Sequence, residues 1–293
     1  MLPNYPQFKT IEIADLPSLK PYFQANQPEI CELAIGNFFI WEEFDRPKFT
    51  FINDNLCFLI EPINEALFFL PPLGTNQLLE TIAVCLKYCG KVSRAQESLI
   101  KQLPENQYKI GCLRPQFDYL YETRILAEFK GRKFDGKRNH VKRFRACHPD
   151  YAYQPLLPEH KNKCLKLFED WFTTHQESKY FTKLAHEAQR SAVEKAFHYF
   201  SDINCIGGIL LIEKEVKGFI MASPLNKQTL SVHFLYGHPS IQGIFPTLLQ
   251  ETCAKNFADY KCVNLEQDLG IPGLRQSKLS YSPQLVKKFE ITT

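Results

Sequence analysis

The two halves of this chain open in the same way, and that repetition narrows what it can fold into. A short extended run over 8–13 leads to Pro17 and a helix predicted over 16–24. A second extended run over 151–156 leads to Pro158 and a helix carrying Leu165, Phe168, Trp171 and Phe172. Proline suits the first turn of a helix, where its missing N–H has no partner to lose. In the first half, 49–51, 56–60 and 67–70 read as strands, with Asn53, Asp54 and Asn55 as turn residues. Pro71, Pro72 and Gly74 then precede a helix through Leu78, Ile82 and Leu86. The second half has an amphipathic helix with Ala185, Ala188, Ala192, Ala196 and Phe200 on one stripe. A hairpin over 208–213 and 217–222 follows, then an alternating run over 229–236, a helix opened by Pro246 and a strand over 262–267. Strands interleaved with helices in both halves make this an α/β (α+β) chain, and 293 residues suit two lobes in tandem.

The join between the halves carries the densest charge. Between Lys130 and Arg145 stand eight Lys or Arg and one acid, Asp135, so the segment is +7 in a chain of net charge +3, and the remainder is −4. Such a run is either a solvated helix or a surface for an anionic partner. Its central position points to a junction helix through which the lobes pack. The expected division is an N-terminal lobe over 1–129, a basic junction helix and linker over 130–150, and a C-terminal lobe over 151–293. Lys137, Arg138, Asn139, Lys142 and Arg143 are the residues expected to meet phosphates.

Composition removes several classes. Apolar residues at 44% and aromatic residues at 13% supply a core and exclude disorder. The start lacks the cationic head and apolar core of a secretory signal, and no apolar window is long enough to span a bilayer, so a cytoplasmic location is expected. Ten cysteines without a CxxC pair read as reduced core residues rather than zinc ligands, and no metal site is expected. The sequence has no GxSxG, HExxH, Walker-type loop or dinucleotide fingerprint.

The second polar concentration is NLEQDLGIPGLRQSKLSY, over 264–281. On a strand, Asn264 and Glu266 share a face, and Asp268 follows on the same side if the strand persists. Two adjacent carboxylates at a strand end, beside a glycine loop, form a common ligand site in α/β sheets. Like charge would raise the pKa of one of them, as a general acid/base requires. Arg275 and Lys278 are placed to clamp an anionic group, or else Arg275 merely pairs with Glu266 to hold the loop. Amine acylation needs a group to take the acceptor's proton, and Glu266, Asp268 and His233 are the available bases. His233, between Val232 and Phe234, equally suits a structural role. The loop over 237–243 opens a helix whose N–H groups suit phosphate.

The order β-α-α-β-β-β-α-β in the second half is similar to that of N-acyltransferases of the GNAT type. Those enzymes place Arg or Gln and two spaced small residues ahead of the helix that holds acetyl-CoA. Here Ser240 and Phe245 stand in that pattern, which argues against an ordinary acetyl-CoA site. The segments CELAIGNFFIW (31–41), FDYLYETRILAEFKGRKFDGKRNHVKRF (117–144), LNKQTLSVHF (225–234) and NLEQDLGIPGLRQSKLSYSP (264–283) together resemble the family of the phosphatidylglycerol lysyltransferase C-terminal domain. The resemblance implies two GNAT-like lobes, each a mixed, mostly antiparallel sheet flanked by helices. In membrane-bound relatives this unit moves an aminoacyl group from tRNA to a lipid headgroup. Two departures stand out: no transmembrane part is present, and Leu235, Tyr236 and Gly237 stand where many members have Lys-Ala-Asp.

These readings converge on an acyl- or aminoacyl-transferase with aminoacyl-tRNA or an acyl-CoA as co-substrate. The acceptor is a small molecule, peptide or lipid headgroup offering an amine or hydroxyl. Glu266, Asp268 and His233 are the expected catalytic residues. Lys137, Arg138, Asn139, Lys142, Arg143, Tyr236, Asn264, Arg275 and Lys278 are the expected binding residues. The alternative is a catalytically silent module of the same fold, with a basic cleft for RNA or another anion.

Overall fold

The computed structural model describes residues 2–174 and 182–293. β1 (Lys9–Thr10) precedes α1 (Leu16–Asn26), α2 (Ile35–Ile40) and the single turn α3 (Glu42–Asp45). β2 (Lys48–Ile52), β3 (Asn55–Ile60) and β4 (Phe68–Phe69) form a meander, followed by α4 (Leu78–Cys89), β5 (Val92–Gln96), α5 (Glu97–Ile100) and β6 (Lys109–Cys112). Then come β7 (Asp118–Glu122), α6 (Thr123–Glu128), α7 (Asp135–Cys147), β8 (Ala152–Pro155), α8 (Lys161–Thr173) and α9 (Lys183–His198). The chain ends with β9 (Ile206–Ile212), β10 (Glu215–Pro224), β11 (Thr229–Gly237), α10 (Ile244–Lys255), β12 (Cys262–Asn264), α11 (Pro272–Leu279), β13 (Gln284–Val286) and β14 (Lys288–Thr292). From β8 to β12 the elements follow the order read from the sequence.

Local chemistry accounts for the element ends. Pro17 sits in the first turn of α1. Thr182 caps α9 by accepting the Ala185 N–H, and Gly90 ends α4 in the left-handed region at φ 77°. The β2–β3 and β9–β10 hairpins close through Asn53-Asp54 and Glu213-Lys214. All four of these residues have positive φ, the backbone that matches the twist of paired strands.

Two seven-stranded sheets result. The first has the order β1-β2-β3-β4-β5-β14-β6 and the second β13-β7-β12-β11-β10-β9-β8. Each is antiparallel except for one pair, β4–β5 in the first and β11–β12 in the second. The sheets exchange strands. β7 leaves the N-terminal half to lie between β12 and β13, and β14, the last strand, returns to lie between β5 and β6. The two crossings run side by side: β13 pairs with β7 in one sheet, β14 pairs with β6 in the other, and Leu113 N–H donates to the Lys288 carbonyl between them.

One core joins the lobes. Phe23, Phe38, Phe49 and Phe58 from the first pack with Phe168, Phe172, Phe219, Phe234 and Tyr236 from the second, with α2 against α9. The basic helix, through which its central place in the chain predicts the lobes to pack, does not lie there. α7 buries only Val141 and Phe144, and these join Ile244, Leu248 and Leu249 of α10 on the far face of the second sheet. A helix with so narrow an apolar stripe can cover one neighbour and leaves its charged sides in water. Among the described residues no helix is long and apolar enough to cross a membrane. Six of the ten cysteines are buried; Cys112 and Cys147 are exposed.

At the crossing, the fully buried Lys288 ammonium meets Glu32 at 2.5 Å and Asp118 at 2.6 Å. Burial opposes its charge, but the carboxylates outweigh that and raise its pKa. Lys288→Met strands Asp118 as an unpaired buried charge and is expected to lower the unfolding free energy by about 3–5 kcal/mol. In urea titrations, adding Asp118→Asn should recover part of that loss; strictly additive losses would mean that the two groups do not interact.

Candidate functional site

Glu266 lies at the seam between the lobes, and two departures from regular strand geometry put it there. The strand expected over 262–267 stops at Asn264, because Glu266 takes the left-handed backbone at φ 57°. Leu265 still donates to the Tyr119 carbonyl, at 2.9 Å. The turn sends the Glu266 side chain toward β11 instead of along the expected alternation. On β11, Phe234 opposes Met221 of β10 and Val232 opposes Ala222, so His233 is the extra residue of a bulge. The bulge reverses which residues face the first lobe: Leu230 and Val232 face α10, whereas Phe234 and Tyr236 join the core between the lobes.

Three donors converge on one oxygen of Glu266. Oε1 accepts from Ser231 Oγ at 2.8 Å and Asn37 Nδ2 at 3.2 Å, and it lies 3.1 Å from His233 Nδ1. The Glu266 N–H donates to Asn264 Oδ1 at 2.7 Å, and Asn264 Nδ2 donates to Asp118 at 2.9 Å, which ties the turn to the Lys288 cluster. Burial would raise the Glu266 carboxyl, but His233, Ser231 and Asn37 outweigh it and hold the group ionised below its usual range. Oε2 accepts no hydrogen bond from the described residues, and the side chain is 15% exposed. Beside it, Asn37 Oδ1 is buried and also unpartnered.

His233 cannot reach a substrate. Its ring is fully buried, with Nε2 2.7 Å from Ser223 Oγ. Ser223, His233 and Glu266 have the spacing of a nucleophile–base–acid chain, but Ser223 is sealed by Gly36: a Cβ there would stand 2.5 Å from Oγ. The chain orients Glu266 and does not present a nucleophile.

The two carboxylates expected to share a site have separate partners. Asp268, fully buried, accepts from Tyr119 Oη at 2.5 Å, Arg114 Nη1 at 2.8 Å, the Gly270 N–H at 2.8 Å and two Arg275 nitrogens at 2.9 Å. Burial would raise its pKa, but Arg275, Tyr119 and Gly270 together hold it well below the carboxylate range. Neither carboxyl is raised, so the expected proton-sharing pair is not formed. The left-handed turn at Glu266 separated them. Arg275 pairs with Asp268 and not with Glu266. Arg114, from the other half of the chain, was not legible as its partner, since 154 residues separate it from Asp268. Both guanidinium groups keep spare N–H donors and are about a third exposed, at 33% and 35%.

Other expected residues fall elsewhere. Lys278 donates to the carbonyls of Leu265 at 2.6 Å and Gln267 at 2.5 Å, which latches the loop, and burial lowers its pKa to about 8. Tyr236 lies in the core between the lobes and donates to Gln189 at 2.6 Å. On α7, Lys137 stacks 3.7 Å from the Tyr281 ring centre, and Arg138 donates to the carbonyls of Phe129 and Gly131. Asn139, Lys142 and Arg143 are exposed, on the opposite face of the second sheet from Glu266. α7 also covers the start of α10, where a Cβ on Gly243 would collide with the His140 carbonyl, and Pro246 offers no N–H. Cys31, Glu32 and Asp118 lie close enough together to share a cation, and the Lys288 ammonium is the cation that they share.

A model of the family described as phosphatidylglycerol lysyltransferase, C-terminal, matches residues 24–292. Among solved structures, a conserved protein of unknown function from Bacteroides thetaiotaomicron VPI-5482 is similar over 100% of this chain and 99% of its own, at 27% identity and a TM-score of 0.89. L-PGS from Bacillus licheniformis is similar over 94% of this chain and 91% of its own, at 14% identity and a TM-score of 0.63, a likeness of fold. No curated protein matches the chain in sequence.

The depressed Asp268 carboxyl has a pH signature. Its folded pKa lies below an unfolded value of about 3.9. The stability it contributes is therefore present above that pH and is lost as pH falls through the folded value. Asp268→Asn is expected to be less stable than wild type at neutral pH but to lose less stability between about pH 4 and pH 2. Parallel acid limbs in denaturant titrations would exclude Asp268 as a source of acid sensitivity.

Proposed function

Because the chain belongs to the family described as phosphatidylglycerol lysyltransferase, C-terminal, we propose that it transfers an acyl group of the aminoacyl kind from an activated carrier to an amine or hydroxyl acceptor at the seam between the lobes. The observation that carries this reading is the partly exposed Glu266 carboxylate, whose Oε1 is held by neighbours while Oε2 accepts no hydrogen bond from the described residues. Such an oxygen suits an N–H or O–H group brought by a substrate. The acceptor's nitrogen or oxygen attacks the carbonyl of the carrier ester, the amide or ester bond forms and the bond to the carrier breaks. The acceptor's proton passes to Glu266 and on to the departing oxygen. Glu266, already ionised and fixed by His233, Ser231 and Asn264, is ready for that proton at neutral pH.

Arg114 and Arg275, with N–H groups to spare, hold an anionic group of the acceptor; small molecules, peptides and lipid headgroups all offer one. Asn139, Lys142 and Arg143 meet donor phosphates. The family favours an aminoacyl-tRNA donor, and the covered start of α10 favours it over acyl-CoA.

Single-turnover assays with panels of labelled aminoacyl-tRNAs and acyl-CoAs test the reading. Glu266→Gln keeps the oxygen that takes three donors and replaces only Oε2, so melting temperature should hold while turnover falls about 10²-fold or more. An active variant would remove Glu266 from the chemistry. Absence of transfer from every donor would leave the second reading, a binding module, which the burial of His233 and Asp268 in structural bonds favours.

RNA affinity through α7 is expected to be salt-dependent. Two phosphate contacts, from Lys142 and Arg143, correspond to a log–log slope of about −2, and replacing both by Ala should flatten the slope by that amount. An unchanged slope in the double variant would make α7 a solvated face only.

A further inference from the structure

Away from the seam, a second hollow gathers positive charge. It encloses about 200 Å³ where the turn of the β9–β10 hairpin and the segment after β11 meet α8. Lys163 and Lys166 from α8, Lys214 and Lys217 from the hairpin, and His238 line it; Asp170 and Glu215 are its acids, and buried Leu167 and Val216 are its apolar residues. Lys163 and Lys166 are three residues apart and share a helix face. The His238 N–H donates to the Lys217 carbonyl at 2.8 Å, and Ser240 Oγ lies 2.8 Å from His238 Nδ1 and orients the ring.

Among the described residues Lys163, Lys166 and Lys214 have no ion-pair partner, whereas Lys217 holds Glu215 at 2.5 Å. Lys217, and with it Lys166, keeps that carboxyl below its usual range. Four lysines against two acids leave a net +2 around a space with room for a phosphoryl group. Like charges gathered without partners repel one another, and an anion from outside relieves the repulsion. The helix start that usually receives phosphate, that of α10, lies under α7. A charge gathered around one hollow also differs from the extended stripe that tracks a nucleic-acid backbone.

We propose that this hollow binds the phosphoryl group of a small phosphorylated ligand, with Glu215 as the internal counter-ion that the ligand displaces from Lys217. The site is independent of the transfer reaction at Glu266.

Calorimetric titration with inorganic pyrophosphate at constant ionic strength tests it. Wild type should bind saturably. Lys163→Gln with Lys166→Gln should weaken binding about tenfold or more, and Glu215→Gln should tighten it. Lys87→Gln, on α4, should leave it unchanged. The substituted side chains are exposed, and melting curves without pyrophosphate confirm folding of each variant. Failure of wild type to saturate at millimolar pyrophosphate, or equal binding by the Lys163/Lys166 variant, overturns the proposal. So does a short RNA that binds through these lysines when pyrophosphate does not.

Discussion

A single ammonium group stands where both sheets and the chain's last strand meet. Lys288 is fully buried, so its charge persists only because Asp118 and Glu32 lie within 2.6 Å. Those carboxylates are committed in turn. Asp118 accepts the Cys31 N–H at 2.8 Å and the Asn264 amide at 2.9 Å, and Glu32 accepts from Gln267 at 2.9 Å. Asn264 then fixes the backbone of Glu266. The position of the Glu266 carboxylate is thereby set, through three linked contacts, by a lysine 22 residues further along the chain.

The seam owes its chemistry to irregular backbone. In a regular strand Glu266 would follow the alternation of β12, and without the bulge Phe234 and Tyr236 would lie on the face of Leu230 and Val232 rather than on that of Ser231 and His233. A left-handed residue and an inserted residue cost conformational energy that the surrounding bonds must offset. Here the offset is visible as donors: Ser231, His233 and Asn37 on the side chain, and Asn264 on the backbone. Gly36 belongs to the same arrangement, since only a residue without a side chain lets α2 approach Ser223 and His233 so closely.

Much of the architecture was legible in the residues themselves. The helix read over 16–24 runs over Leu16–Asn26, and the hairpin read over 208–222 runs from Ile206 to Pro224. Periodicity, Pro17, Pro158 and the Asn53-Asp54 turn are local signals, and local signals survive folding. What could not be read depends on partners far apart in sequence. Tyr119 and Tyr121 alternate within the segment over 117–144, but nothing there marks membership of the second sheet. Nothing within 288–292 marks it as a strand of the first. For the site, Asn264, Glu266 and Arg275 come from one motif, but Asn37 and Arg114 come from the other half, and charge counting cannot pair Arg114 with Asp268 across 154 residues. Lys278 shows the opposite limit: its residue type suggested an anion clamp, whereas burial turned it toward two carbonyls.

The exchange of strands also bears on how the protein is made. During synthesis the N-terminal half emerges first, yet its sheet lacks the strand between β5 and β6 until β14 arrives, after the whole second sheet. Those two edges stay unpaired, with their N–H and C=O groups open to any passing strand, for the whole time the ribosome is adding the second half. The lobes therefore cannot mature one after the other in the manner of beads on a string. The first sheet closes only after the second half has been added, and without Lys288–Thr292 it would lack the strand between β5 and β6.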